Sequence, residues 1–316
     1  MDQIPQNAPG TYNPVMRPRH IWELRSRKLT LGERTLVMGV VNVTPDSFSD
    51  GGQFDSSASA VDQALRLLSE GADILDIGGE STRPGVSVGQ EADVSSRQEL
   101  ERIMPVIEGV LRARPDAVIS VDTYKAATAA EAIRAGAEIV NDVSGLAWDP
   151  AMGSTLEELG CGAVLMHTRG TPSEWRNLPA LKDPFEMVLE DLGSIAKKAQ
   201  HAGVEKSRVV LDVGFGFGKR FDENYPLIAR FGEFAKLGFP LLAGPSRKSF
   251  VGRTIGRRRA EASGSEVADA PSNERLYGTL AAVVACVLQG AHIVRVHDVA
   301  AVVDAIAVAD AILAAE

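Results

Sequence analysis

Cysteine is almost absent: the 316 residues hold two, Cys161 and Cys286. Two thiols so far apart make neither a disulfide framework nor a Cys-based metal site, and they predict buried thiols in a reducing cytoplasm. No apolar run approaches the roughly 20 residues of a membrane-crossing helix. Met1 to Arg19 is rich in Pro and Asn without an apolar core, which excludes a secretory signal in that stretch. Positive charge is in deficit, with 33 Lys and Arg against 42 Asp and Glu and a net charge of -9. Coating a nucleic acid needs clustered cations to neutralise phosphates, so neither nucleic acid nor membrane is expected as a partner. The Gly-rich run Gly214-Phe-Gly-Phe-Gly-Lys219 lacks the Gly-Lys-Ser/Thr ending of a P-loop and the G-x-G-x-x-G spacing of a dinucleotide fold. No His/Cys metal spacing and no nucleophile elbow is present.

What is present is one unit, repeated. Its first copy is Met38-Gly-Val-Val-Asn-Val-Thr-Pro-Asp-Ser-Phe-Ser-Asp-Gly-Gly52. Val37 to Val43 is apolar and β-branched, a strand buried on both faces, and the rest is loop chemistry. Asn42 stands at the strand's end. Further strands are predicted at Asp73–Gly78, Ala117–Val121, Ala137–Val140, Ala163–Met166, Val209–Leu211, Pro240–Ala243 and His292–Val296. Helices alternate with them, for example Arg97–Arg112, with Leu100, Ile103, Met104, Ile107 and Leu111 on one face. Others are expected at Ser57–Gly71, Asn224–Lys236 and Glu274–Gln289. Eight such pairs of even length favour a closed (β/α)8 TIM barrel over an open sheet. One domain over 21–316 is expected, preceded by a flexible lead-in at 1–20. His20 to Leu36 suits a short hairpin across the barrel's bottom, and Arg253 to Ser272 reads as an exposed, charged insert.

Nearly every strand ends in a polar residue: Asn42, Glu80-Ser-Thr-Arg83, Asp122, Asn141, His167, Asp212, Ser246-Arg-Lys248 and Arg295-Val-His297. A barrel brings these ends to one rim. Singly each has a bland reading, Asp122 as a helix cap and His167 as a core histidine bonded to backbone. Together they do not, because caps have no need of Arg and Lys beside them. Asp122, Asn141 and Asp212 suit a polar heterocycle with several N–H groups. Arg83, Lys248, Arg295 and His297 read as cations for a phosphorylated or pyrophosphorylated group. Phosphate oxygens near Asn42 would leave room for Mg2+.

The runs VNVTPDSFSDGG, GGESTRPG, VDTYK, NDVSG, LMHTRG, GFGFGK, SRKSF and VRVHDV follow in order, each at a predicted strand end. In these the chain resembles the dihydropteroate synthase family from about Leu36 to the C-terminus. The resemblance implies condensation of 6-hydroxymethyl-7,8-dihydropterin diphosphate with p-aminobenzoate, giving 7,8-dihydropteroate and diphosphate. It implies that Asp122, Asn141, Met166, Asp212 and Lys248 bind the pterin, with Lys248, Asp122 and Asp212 catalytic. Thr82, Arg295 and His297 would hold the diphosphate, and Asn42 would hold Mg2+. Asp46, Phe48, Asp50, Arg83, Pro84, Phe217 and Ser249 would form the aminobenzoate pocket and its loops, with Thr82 also on a loop. Diphosphate would depart first, leaving a delocalised cation for the aniline nitrogen to attack. A homodimer through the side of the helices expected at Asn224–Lys236, Glu274–Gln289 and Ala300–Ala314 is implied as well.

Val213 and Pro245 depart from the family's usual residues, and both are positions that shape backbone. A related pterin-binding methyltransferase would need the pterin acids without the cations. A non-catalytic pterin-binding paralogue should have lost a loop or the Lys. The presence of Lys248 with its neighbours disfavours both.

Overall fold

The apolar runs become strands because only a closed, parallel ladder satisfies their backbone while burying both faces. The structure is a computed structural model describing residues 17–44, 53–81, 85–89, 92–264 and 266–315. The barrel strands are β3 (Leu36–Asn42), β4 (Ile74–Gly78), β5 (Val118–Asp122), β6 (Ile139–Asp142), β7 (Gly162–Met166), β8 (Val209–Asp212), β9 (Leu241–Ala243) and β10 (Ile293–Val296). They follow one another around the closed barrel, with β10 returning to β3 in the register Ile293–Leu36. The helices outside are α1 (Gln53–Ser69), α2 (Ser96–Ala113), α3 (Ala126–Arg134), α4 (Met152–Leu159), α5 (Pro184–His201), α6 (Tyr225–Ala229), α7 (Ser249–Ser263), α8 (Leu276–Leu288) and α9 (Val299–Leu313). The expected (β/α)8 barrel is the fold found.

Strand parity sorts the core. Residues facing outward, such as Val37, Leu75, Ile119, Leu165, Leu211 and Val294, pack against the helices in one large cluster. Their inward neighbours Met38, Ile74, Val118, Ile139, Val164, Val210, Leu242 and Ile293 form a separate apolar plug at the lower end. Side chains alternate along a strand, so the next inward position lies two residues further on. There the chain places Val40, Asp76, Ser120, Asn141, Met166, Asp212, Gly244 and Arg295. The barrel interior therefore turns from wholly apolar to mostly polar within one step.

The expected hairpin is present as β1 (His20–Glu23) and β2 (Lys28–Leu31), antiparallel. It closes the bottom: Trp22, Leu24 and Leu31 join the apolar plug, and the Trp22 indole N–H donates to the Arg208 carbonyl at 2.8 Å. Three readings change. Residues 17–20 belong to this lower end rather than to a lead-in, since Arg17 pairs with Asp310 at 2.9 Å and the His20 ring meets His292. The stretch expected as one helix over Asn224–Lys236 is a short α6 between 3-10 turns at Phe221–Asn224 and Phe231–Leu237. Phe231 and Phe234, three apart and both buried, meet edge to face on one side of that second turn, where a 3-10 pitch places i over i+3. The supposed insert at 253–272 is half helix. Gly252, Gly256 and Ala260 make a buried stripe of small residues along α7, and a Cβ on Gly256 would lie 1.9 Å from the Ala268 carbonyl of the returning chain. Its arginines are engaged with acids: Arg257 with Asp222, Arg258 with Glu261, Arg259 with Glu274.

Candidate active site

The polar step of the barrel opens upward into a small pocket of about 30 Å³. Asp122, Asn141, Met166, Asp212, Phe217, Lys248 and Arg295, all candidates from the sequence, line it. Val143, Gly214, Phe215 and Gly244 line it as well and are not evident from motif reading alone. Met166, Val143 and Phe217 form a small apolar wall backed by Trp148 and Trp175. One side of the cavity is thus flat and greasy, the other acidic.

Asp76 is the residue that sequence reading missed. It is fully buried inside β4, and its Oδ2 accepts from Arg295 Nε at 2.6 Å and from Asn141 Nδ2 at 2.9 Å. Arg295 Nη2 donates to Asp122 Oδ2 at 2.6 Å, so one guanidinium spans two carboxylates. Burial pushes Asp122 up to about 7 against the pull of Arg295. Asp212 is also raised by burial, while its Oδ1 accepts the Gly214 N–H at 2.8 Å. A carboxylate bonded to arginine can only accept, so Asn141 must turn its NH2 to Asp76 and its oxygen the other way.

Lys248 caps the cavity. Burial, with Arg295 nearby, pushes its ammonium down to about 8, and Nζ sits 3.9 Å from the centre of the Phe217 ring. The backbone before it is held in an uncommon conformation: Arg247 has φ +57°. Three contacts fix that turn. The Arg247 N–H donates to Thr279 Oγ1 at 3.0 Å, its guanidinium grips Asp298, and its carbonyl accepts from Arg275 at 2.8 Å. Arg247 therefore points out of the site while Lys248 points in.

Of the four expected cations, Arg83 lies outside the described residues, and the other three differ in charge and pairing. Burial, with Arg295 and Arg247 nearby, pushes His297 down to about 3, so the ring is neutral; its Nδ1 lies 3.0 Å from Ser246 Oγ. Arg295 is committed to Asp76 and Asp122. Lys248 is the cation lining the cavity without an acidic hydrogen-bond partner among the described residues. Neither Asn42 nor His297 lines that cavity; Asn42 is exposed at the end of β3. Ser249 is exposed at the start of α7, also outside the lining. Asp46, Phe48, Asp50, Thr82, Arg83 and Pro84 lie outside the described residues. His167, read singly as a core histidine, is buried and bonded to Asp191 at 3.0 Å, and burial pushes it down to about 4.

A parallel barrel with acids, an amide and a lysine at its strand ends also matches a known family model. That model, described as pterin binding enzyme, covers residues 38–297, so fold and site define a pterin-binding barrel enzyme. The dihydropteroate synthase of Synechocystis sp. is 42% identical over 282 residues, spanning 89% of this chain and 91% of that protein. The structure of Xanthomonas albilineans dihydropteroate synthase with 4-aminobenzoic acid superposes with a TM-score of 0.81 at 39% identity, covering 95% of this chain and 100% of that one. A second structure from that organism, in complex with 7,8-dihydropteroate, gives 0.77 at 38% identity, covering 95% and 100%. The chain belongs to the dihydropteroate synthase family and is a transferase.

Proposed function

We propose that the cavity holds the pterin ring of 6-hydroxymethyl-7,8-dihydropterin diphosphate while the chain joins its methylene to the amine of p-aminobenzoate. The C–O bond to diphosphate breaks, a C–N bond forms, and the aniline nitrogen gives up a proton. One observation carries this reading: two carboxylates and an amide, Asp122, Asp212 and Asn141, line one small pocket at the barrel's polar end. Such a lining selects a ligand edge rich in N–H groups, as an aminopterin is. Met166 would pack against one of its flat faces.

Lys248 would meet the charge that develops on the leaving oxygens, and its proton would keep that charge compensated without a covalent step. Asp122 and Asp212 would stabilise the positive charge left on the pterin. Arg295 and His297 would meet the diphosphate, the neutral His297 as a hydrogen-bond donor, with Thr82 beside them. Asp46, Phe48, Asp50, Arg83, Pro84, Phe217 and Ser249 keep the aminobenzoate role that the motifs imply.

Asn42 fits Mg2+ in one respect: an exposed, neutral amide oxygen suits a hard cation that draws its other ligands from water and phosphate oxygens. No cluster of three His, Cys, Asp or Glu able to hold a metal exists among the described residues. When bound, Mg2+ would supply charge to the leaving diphosphate. The test is release of diphosphate from purified protein given the pterin diphosphate and Mg2+, with and without p-aminobenzoate. Release coupled to dihydropteroate is expected, and tight pterin binding with no release would refute turnover. In the same assay Asn42→Ala should raise the Mg2+ concentration for half-maximal rate about tenfold, on the scale of a lost metal contact. An unchanged Mg2+ dependence removes Asn42 from the metal.

A homodimer through the α8 and α9 side is supported by apolar residues left outward there: Tyr277, Val308 and Ile312 are 83%, 63% and 52% exposed. Sedimentation at micromolar concentration should give twice the chain mass; a single-chain mass refutes it. The two unbridged, buried cysteines support a cytoplasmic setting. No helix of the described residues is long and apolar enough to cross a membrane.

A further inference from the structure

The glycine-rich run after β8 is neither a P-loop nor a nucleotide fingerprint, yet its spacing has a physical cause. Gly214, Gly216 and Gly218 all have positive φ. A Cβ on Gly214 would stand 1.9 Å from the His167 carbonyl oxygen, and one on Gly218 would stand 2.4 Å from that of Arg169. The segments after β7 and β8 therefore meet backbone to backbone, which only glycine permits. The cost is electrostatic. Carbonyl oxygens of His167, Gly214 and Phe217 converge on one buried point, where water is excluded and their partial charges repel.

Lys219 occupies that point. The residue is 6% exposed, and Nζ donates to Gly214 O at 2.6 Å, to Phe217 O at 3.2 Å and, more weakly, to His167 O at 3.4 Å. Burial pushes the Lys219 ammonium down to about 7 against the pull of Asp212, and three acceptors match the three N–H groups of its protonated form. Asn224 completes the frame, accepting the Gly216 N–H at 2.7 Å and donating to the Arg220 carbonyl at 2.8 Å. The loop so held carries Phe217, whose ring underlies Lys248 and meets Trp175 edge to face at 5.3 Å.

We propose that Lys219 is a positioning residue acting as a built-in monovalent cation: its ammonium gathers the three carbonyls, binds the ends of β7 and β8 together, and thereby seats Phe217 against Lys248. Removing the side chain should leave a carbonyl-lined socket into which a free cation of ammonium or potassium size can enter, since a ring of carbonyls can replace such an ion's hydration shell. The part of this inference that concerns aminobenzoate rests on the role proposed above for Phe217; the socket itself does not.

The test is Lys219→Ala, compared with the unaltered protein in KCl, NH4Cl, LiCl and choline chloride at equal ionic strength. Thermal unfolding reads the socket without any substrate. The variant should melt higher in KCl or NH4Cl than in LiCl or choline chloride, while the unaltered protein shows no such ordering. Steady-state rates read the link to Phe217. In choline chloride the KM for p-aminobenzoate should rise about tenfold with a smaller change in kcat, and KCl should recover most of the loss; about tenfold corresponds to one lost positioning contact. No difference among the salts in either readout overturns the proposal. A salt-ordered melting curve with an unaltered aminobenzoate KM keeps the socket and refutes instead the role given to Phe217. If Lys219→Ala is not recovered folded in choline chloride, its folding is scored in KCl, where failure overturns the proposal. Lys219→Met, which fills the space without charge, should show the raised KM but no recovery by KCl; a normal KM in that variant also overturns it.

Discussion

Lys248→Ala is expected to lower kcat/KM by about 10³-fold while leaving the barrel folded, the range for removal of a single preorganised electrostatic contact to a leaving group. The lysine projects into the cavity from the first turn before α7, and its loss removes no contact from the apolar plug or the helix layer. Its backbone position is held by Arg247, whose N–H, carbonyl and guanidinium are all engaged elsewhere. Circular dichroism should therefore be unchanged. The pH profile gives a second check. With its pKa lowered to about 8, Lys248 is protonated below that pH and neutral above it. The rate of the unaltered enzyme should fall as pH rises through about 8, and the residual rate of Lys248→Ala should not. Turnover within tenfold of normal, or an alkaline limb that survives the substitution, would show that the charge lies elsewhere.

Arg295→Leu is expected to act on stability as well as on activity. The guanidinium is the bond partner of both Asp76 and Asp122, and Asp76 is wholly buried. Deleting one partner of a buried ion pair costs about 3–5 kcal/mol because the remaining charge stays desolvated. The sign of the pH effect follows from Asp122, already pushed up to about 7 by burial, against an ordinary carboxylate value of 3.8. Between those pH values the folded state takes up a proton that the unfolded state does not, so lowering the pH from 8 towards 5 relieves the unpaired charge. Urea unfolding should show the largest deficit relative to the unaltered protein at pH 8 and a smaller one at pH 5. Arg295→Lys should recover only part of the loss, since an ammonium lacks the fork that reaches two carboxylates. A deficit below about 1 kcal/mol, or one that grows on acidification, would contradict the network drawn from the geometry.

Much of this molecule is legible in its sequence because each barrel unit is local. An apolar β-branched run followed by Gly, Asp or Asn specifies a strand and its end, and eight such runs leave few ways to bury both faces. Asp122, Asn141, Asp212 and Lys248 could be named because they stand at strand ends, where polar residues are conspicuous. Asp76 escaped because it stands inside Ile74-Leu-Asp-Ile-Gly78, where a single acid looks like an interruption. Its parity was the available signal: it is two residues beyond Ile74, as Arg295 is two beyond Ile293. The α7 region escaped for another reason. Gly, Ala and Ser read as loop composition, and only a chain lying directly on Gly256 reveals them as a packed helix face.

The sequence by itself determined the strand–helix alternation, the barrel it closes into, the rim residues and, through eight ordered motifs, the family. Charge state and pairing were decided by the tertiary structure. His297 is a cation by composition and a neutral ring once burial and neighbouring arginines act on it. Arg295 is a free charge on paper and a bridge between two acids in the fold. The orientation of the Asn141 amide and the caging of Lys219 likewise depend on residues distant in the chain. Local sequence fixes where a side chain starts, but its protonation and hydrogen bonds are set by solvent exclusion and by partners that only closure of the barrel brings within reach.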